Sequence, residues 1–292
     1  MTKFQELAEK IILCRGVYTH AGKFHADDAF SCAIAALITG GNLIKIFRMN
    51  NPEDLKKAGV DDTNALIVDI GYGRFDHHQR QKEYYPDGVE KSAVAKLWEF
   101  VGEELIGALH KCPREIAHEA FVAVRERLIK PISDTDTRGQ KARPNAISWM
   151  VYNRSAQAEN LDEAFTDLVF DVATPILRDE IAQSVQEAQA AIEARQYASQ
   201  WASEGHADWG FVPKFLAAES FEGTSVKCII GKSARGGYNV ACVDSARWPI
   251  PDSLPAPRKG HFWANFPDQK SAEEAAAWLA QFWAKEGSHG EE

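Results

Sequence analysis

Residues 65–79 read Ala-Leu-Ile-Val-Asp-Ile-Gly-Tyr-Gly-Arg-Phe-Asp-His-His-Gln. The first six, Ala65 to Ile70, form a compact apolar run interrupted only by Asp69, the pattern of a buried parallel strand. An ionised carboxylate at the end of such a strand needs a compensating partner. Upstream, Gly16 to His20 (GVYTH) reads as a second strand. It leads through the turn AGKFHADD into the apolar run AFSCAIAALITGG, a helix that Gly40 and Gly41 close. Leu43 to Arg48 reads as a third strand and Pro52 to Ala58 as a short helix, with longer helices at Ala93 to Leu109 and Glu115 to Leu128. Alternation of this kind specifies an α/β domain with a parallel sheet.

The second half has a different rhythm. Phe165, Leu168, Val169, Val172, Ile176, Leu177, Ile181 and Val185 recur at helical spacing between Leu161 and about Trp201, interrupted at Pro175. This stretch reads as a long or kinked connecting helix. Lys214 to Leu216, Val226 to Ile230 and Tyr238 to Val243 resemble strands, with a hairpin turn at Gly236-Gly237. Ser271 to Lys285 reads as a closing helix capped by Ser271, with Glu274 three residues later.

Composition limits what the chain can be. Its 292 residues are 45% hydrophobic and 26% charged, which excludes general disorder. Lys plus Arg number 33 against 42 Asp plus Glu, a net charge of −9. That balance argues against a broad duplex-binding face. Five scattered cysteines without C-x-x-C spacing indicate neither a disulfide framework nor a zinc ribbon, and a reducing cytoplasm is the expectation. The N-terminal stretch MTKFQELAEKIILCRG reads as an amphipathic helix, and Ala33 to Ile38 is far too short to span a bilayer.

The chemistry gathers at the ends of strands and helices. His20 and His25 lie in the first turn with Asp27 and Asp28; Asp69 ends its strand; Asp76, His77 and His78 follow; Asp134 and Asp136 come after a helix expected to end near Lys130. Open α/β sheets bind ligands at the carboxyl ends of their strands, so one crevice collects these groups. Asp28 reads equally well as an N-cap or turn former. Together the imidazoles and acids make a mixed nitrogen and oxygen donor set suited to Mn²⁺, with Mg²⁺, Co²⁺ or Zn²⁺ as alternatives, and large enough for two ions sharing a carboxylate. His110, Cys112 and His118 read as packing or surface rather than a zinc site. The tryptophans of the last third read as core more than as a base-stacking groove.

THAGKFHADDA, IVDIGYGRFDHHQR and SDTDTRG resemble the successive motifs of the DHH phosphoesterase superfamily. More closely, the chain resembles the melanocyte-proliferating-gene-1 family of metal-dependent hydrolases and exonucleases, with Ser92-Ala93 matching a further step and RWPIP…GHFWANF the closing region. The resemblance implies an N-terminal DHH-type metal-binding catalytic domain (1–150), a connecting helical segment (151–205) and a smaller α+β domain that selects substrate (206–292). It implies that His20 and His25 bind one ion, that Asp27, His77 and Asp136 bind a second, and that Asp69 bridges them. Asp136 is preferred to Asp134 by its distance from Gly139. Asp76 would orient His77, and His78 would contact phosphate or donate a proton. Arg138, His261 and Asn265 are the candidate substrate contacts.

The sequence departs from the family pattern at Ala21, at Asp28, at Asp136-Thr137-Arg138-Gly139, and at Trp263 to Phe266, where a His-Ala step and a Gly-rich loop are usual. The expected activity is hydrolysis of phosphodiesters by a two-metal-activated water, as an exonuclease on short single-stranded RNA or another oligonucleotide. The alternatives are a small-molecule phosphatase or pyrophosphatase with the same site, or a non-catalytic metal- or nucleotide-binding protein.

Overall fold

The structure is a computed structural model that describes residues 1–14, 16–40, 44–139, 145–203, 208–212, 218–221 and 223–286. Contacts divide the chain into two compact units, Met1–Gln186 and Glu187–Glu292.

The first unit opens with α1 (Lys3–Leu13), held at its start by a reciprocal capping box between Thr2 and Gln5. Then come β1 (Gly16–His20), α2 (Ala26–Ile38), β2 (Lys45–Met49), α3 (Pro52–Ala58) and β3 (Leu66–Ile67). The three strands form a parallel sheet in the order β2-β1-β3. Helix α2 is buried along its whole length, as its Ala-rich sequence requires, because small side chains let neighbouring elements approach from every side. Helix α4 (Ala93–His110) packs on it, and α5 (Arg114–Val124) packs on α4. Trp98, Phe24, Phe30 and Phe165 are among the largest fully buried side chains here.

The apolar run at 65–70 forms a shorter strand than expected. Val68 donates to Tyr18 O and pairs with Phe75 as an isolated bridge, and Asp69 then turns the chain with a φ of 55°.

A second departure concerns the helix expected to end near Lys130. It continues through a π-helical turn, Arg125–Ile129, into α6 (Lys130–Arg138). Proline lacks an N–H and its ring presses on the carbonyl four residues back. The widened turn just before Pro131 absorbs that defect and lets the helix run on. Pro175 is treated in the same way: α7 (Ala146–Gln157) and α8 (Leu161–Leu168) are followed by a π turn at Val169–Ala173, and α9 (Thr174–Ser203) continues through the proline. Both prolines are passed by widening the helix rather than ending it.

The boundary between the units falls within α9. The second unit is built on a five-stranded sheet in the order β4-β5-β6-β8-β7, from β4 (Trp209–Val212), β5 (Cys228–Lys232), β6 (Tyr238–Cys242), β7 (Arg258–Lys259) and β8 (Trp263–Phe266). Only β4 and β5 pair in parallel. Helix α10 (Gln269–Glu286) covers the sheet, burying Ala272, Ala276, Leu279 and Trp283 against Ile230, Val240 and Phe266. Its start is capped by Asp268, whose Oδ1 accepts from Ser271 N and Oγ, rather than by Ser271. Trp248 and Trp283 meet at 5.8 Å, and Trp283 Nε1 donates to Pro249 O, so this part of the tryptophan set is core. The strand expected at 214–216 lies outside the described residues.

The fold is therefore α/β with a parallel N-terminal sheet, a mixed second sheet, and a long helix linking the two units. Among the described residues no helix is long and apolar enough to cross a membrane.

Candidate metal centre

His20 ends β1, and residues 21–25 form the turn that carries His25 to the start of α2. The main-chain carbonyl of Ala21 lies 3.0 Å from His20 Nδ1. A carbonyl only accepts, so Nδ1 carries the hydrogen, and in the neutral ring the lone pair is on Nε2. That nitrogen lies 2.9 Å from Asp28 Oδ2 and 3.4 Å from Asp69 Oδ2. Asp28 is both a cap and an orienting group: its Oδ1 accepts from His25 N and Ala29 N, closing the first turn of α2.

Asp27 is fully buried, and the N-terminus of α4 holds it. Ser92 Oγ and Val94 N donate to Oδ1, and Ala93 N donates to Oδ2 at 3.1 Å. A helix N-terminus with free N–H groups is a suitable place for a carboxylate. This is the structural work of the Ser92-Ala93 step, and Ser92 is a residue that the sequence reading did not credit with holding an acid.

Asp69 sits in the left-handed region, where non-glycine residues are uncommon and where strain gathers at functional sites. Its amide donates to Phe75 O, which fixes the carboxylate at the end of β3. His77 Nδ1 lies 3.1 Å from Asp69 Oδ1 and 3.8 Å from Asp27 Oδ2, while its Nε2 lies 3.1 Å from Asp136 Oδ2. Asp136 Oδ1 is also 3.7 Å from His25 Nδ1. Asp134, two residues earlier on α6, instead pairs with Arg138.

Asp76 was expected to orient His77, but the ring it holds is that of His78. Its Oδ1 lies 2.9 Å from His78 Nδ1 and accepts from His78 N, while its Oδ2 accepts from Tyr72 N. The reason is the tight turn after Phe75, which brings residue 78 back over the carboxylate of residue 76. His78 remains 56% exposed, so its outer edge is open to a ligand.

These contacts gather His20, His25, Asp27, Asp69, Asp76, His77, His78 and Asp136 into one connected cluster. It contains three sets of donors whose atoms lie within 4.8 Å of one another: His20, His25 and Asp69; Asp27, His77 and Asp136; and Asp69, Asp76, His77 and His78. Among the described residues no other group of this kind occurs. His118 Nδ1 pairs with Glu103, and neither it, His110 nor Cys112 joins a cluster. Asn265 and His261 belong to the second unit. The Asn265 amide donates to Asn239 Oδ1 and Gly236 O, tying β8 to the neighbouring hairpin, and His261 is exposed.

Burial disfavours charge on His20, but Asp28 and then Asp69 outweigh it and lift the ring to about 11. His77 is lifted to about 10 against burial by Asp136 and Asp69. Burial likewise pushes Asp69 upward, yet His20 and His77 hold it below the ordinary carboxylate range. Asp27 is raised well above that range by burial first and then by the charges of Asp136 and Asp69. Asp28 is raised by burial, with His20 opposing.

A divalent cation fits this arrangement. Asp69 Oδ1 and His77 Nδ1 are both buried and neither makes an aligned hydrogen bond, although they are only 3.1 Å apart. Two such buried atoms converging out of hydrogen-bond alignment are what a metal ion satisfies. The cluster offsets its negative charge by favouring protonated imidazoles, and a cation in the same place would do the same work.

A parallel α/β sheet with a histidine and aspartate donor cluster at its strand ends defines the class: an α/β protein with a metal-binding geometry at the carboxyl edge of its sheet. The model of the MYG1_exonuc family, described as "Uncharacterised protein family (UPF0160)", matches residues 16–209, well over half of the chain, and the chain belongs to this family. The MYG1 protein of Dictyostelium discoideum is 28% identical over 93 residues, 31% of this chain and 28% of that protein. The MYG1 exonuclease of Bos taurus is 32% identical over 87 residues, 28% of this chain and 20% of its own length. For the MYG1 exonuclease of Homo sapiens the figures are 30% over 87 residues, 28% and 21%. The matched stretches thus span 20–28% of the length of these curated relatives. Among solved structures, RecJ from Thermus thermophilus in complex with Mn²⁺ is similar over 96% of this chain and 54% of its own, at 14% identity and a TM-score of 0.27.

Proposed function

We propose that the chain is a metal-dependent phosphoesterase that hydrolyses phosphodiester bonds, acting as an exonuclease on short single-stranded RNA or other oligonucleotides. The observation that carries this reading is the convergence of Asp69 Oδ1 and His77 Nδ1, buried and without aligned hydrogen bonds, between two flanking donor sets. Family membership, with relatives named exonuclease, supports the direction of the reading.

His20, His25 and Asp69 would hold one ion, and Asp27, His77 and Asp136 a second, with Asp69 shared. The mixed donor set favours Mn²⁺. Divalent ions so held supply a water acidic enough to ionise near neutral pH and positive charge for the non-bridging phosphoryl oxygens. The chain's own residues do the remaining work. Asp76 fixes the Nδ1 edge of His78, which leaves Nε2 at the exposed edge to hydrogen-bond a phosphoryl oxygen or to protonate the leaving oxygen. Ala21 O fixes the ring of His20 with Nε2 turned toward the acids. Arg138, two residues beyond Asp136, is a candidate phosphate contact, and the second unit, carrying His261, would select the substrate. Five unpaired cysteines fit a cytoplasmic setting.

The test combines metal analysis of the purified protein with incubation on single-stranded RNA, single-stranded DNA, duplex, pyrophosphate and a nucleoside monophosphate. Shortening of the single strands with added Mn²⁺ is expected. Turnover of pyrophosphate alone would replace the exonuclease reading with a small-molecule phosphatase. Asp69→Asn is expected to lose most of the bound metal together with all turnover; full metal content and undiminished hydrolysis in that variant would sink the shared-carboxylate assignment.

A further inference from the structure

Two cations lie buried beside this acidic cluster, and neither points its charge at a ligand carboxylate. Arg48, on β2, has a side chain only 4% exposed. Its Nε donates to His20 O at 3.2 Å and its Nη2 to Gly22 O at 2.7 Å. Its Nη1 donates to Leu161 O and Asp162 Oδ1 on α8, and the guanidinium lies 4.6 Å from the ring centre of Phe165 and 5.7 Å from that of Phe24. Lys96, within the apolar stretch of α4, is likewise 4% exposed. Its Nζ donates to Asp76 O, the carbonyl of the peptide joining Asp76 to His77, at 3.0 Å and lies 3.3 Å from Glu83.

Burying a cation is costly unless it is paired and hydrogen-bonded. The acidic partners here are solvent-facing, Asp162 at 75% and Glu83 at 56% exposure, and exposed ion pairs contribute little. The carbonyl contacts therefore give these cations their reason to be inside. Both gripped segments carry proposed ligands where regular structure gives out: His20 is the last residue of β1, and 21–22 and 76–77 are irregular chain outside any helix or strand. Arginine's planar fork spans two carbonyls at fixed geometry, which a lysine ammonium on the same stem does not reproduce. The main chain is held while the ring nitrogens and carboxylates remain available.

We infer that Arg48 and Lys96 are positioning residues: by gripping main-chain carbonyls of the two loops that bear the ligands, they set the geometry of the metal cluster. The inference rests on the metal reading above. Outer partners of metal ligands typically affect affinity by about tenfold to a hundredfold.

The test measures Co²⁺ binding by calorimetry and by the visible absorption spectrum, which reports ligand geometry, alongside thermal unfolding of the metal-free protein. Arg48→Lys and Lys96→Met are expected to weaken Co²⁺ binding by about tenfold or more and to alter the spectrum. Asp162→Ala and Glu83→Gln, which remove only the exposed ion pairs, are expected to leave both at wild-type values. Wild-type affinity and spectrum in either cation variant overturn the inference, as does equal weakening in the two comparison variants. Should a cation variant not fold, Arg48→Gln or Lys96→Gln, each keeping an N–H donor, takes its place and is read against the same outcomes. A wild-type protein that takes up no Co²⁺ overturns the metal reading itself, a result separate from the behaviour of the variants.

Discussion

At His20 and His77 the nitrogens that face the carboxylates are the ones an ion needs, and in the metal-free protein they hold protons to about pH 11 and about pH 10. A proton must leave each ring before a metal occupies it. Apparent Mn²⁺ affinity should therefore rise with pH between about 6.5 and 9, with protons released on binding. The metal-free fold should move the other way. A raised imidazole contributes stability that is complete below its unfolded value near 6.5 and is lost as pH climbs through 10 to 11. The raised Asp27 and Asp28 act in the same direction, and the depressed Asp69 contributes stability that is lost only in acid, below about pH 4. Melting temperatures from pH 7 to 10 should fall for the metal-free protein and fall less when Mn²⁺ is present; parallel curves would contradict the linkage. At this scale the candidate donors could be picked out in sequence, because an acid closing an apolar strand needs a partner and several imidazoles and acids recur at element ends, although a His pair taken alone has an ordinary surface use. The partners of those groups could not. That Ser92 holds Asp27 and that Asp28 faces His20 depend on how separate elements meet, and that Asp76 takes the ring of His78 depends on the conformation of one tight turn; spacing encodes neither.

Among the elements, the parallel strands, the buried α2 and the long helix through Pro175 follow from residue pattern alone, while the continuation of the helix past Pro131 does not. The sequence places a helix end near Lys130, and only the π turn before Pro131 explains why Asp136 arrives on a helix rather than a loop. The end of β3 shows the opposite case, where a local requirement is visible in sequence. Gly71 has a φ of 90°, and a Cβ there would lie 2.8 Å from Leu55 Cδ1. Gly71→Ala should cost about 1–3 kcal/mol in the metal-free protein through backbone strain, with the Leu55 contact adding to it. Because Asp69 lies two residues earlier on the same turn, Mn²⁺ affinity should fall as well. Urea titration and calorimetry on the same preparation check both parts. A stable variant with intact metal binding would show that the turn relaxes freely.

For the whole molecule the governing quantity is charge. With 33 basic against 42 acidic residues, the surface offers no excess of cations with which to displace the counterions of a long strand. The proposed ligand cluster concentrates Asp27, Asp69 and Asp136, and two divalent ions there would turn a strongly acidic point into one that attracts phosphate. Affinity for a nucleic acid would then come from the metals and one or two side chains such as Arg138, not from a broad basic face. Salt should consequently have a weak effect. A single strand releases about 0.7 counterion for each phosphate neutralised, so two or three such contacts give a slope of about −1 to −2 in log K against log salt. Anisotropy of a labelled phosphorothioate oligonucleotide, measured with Mn²⁺ from about 50 to 300 mM KCl, reads that slope directly. A slope steeper than about −5 would mean an extended cationic track, and the proposal that a short strand is held chiefly at the metals would fall.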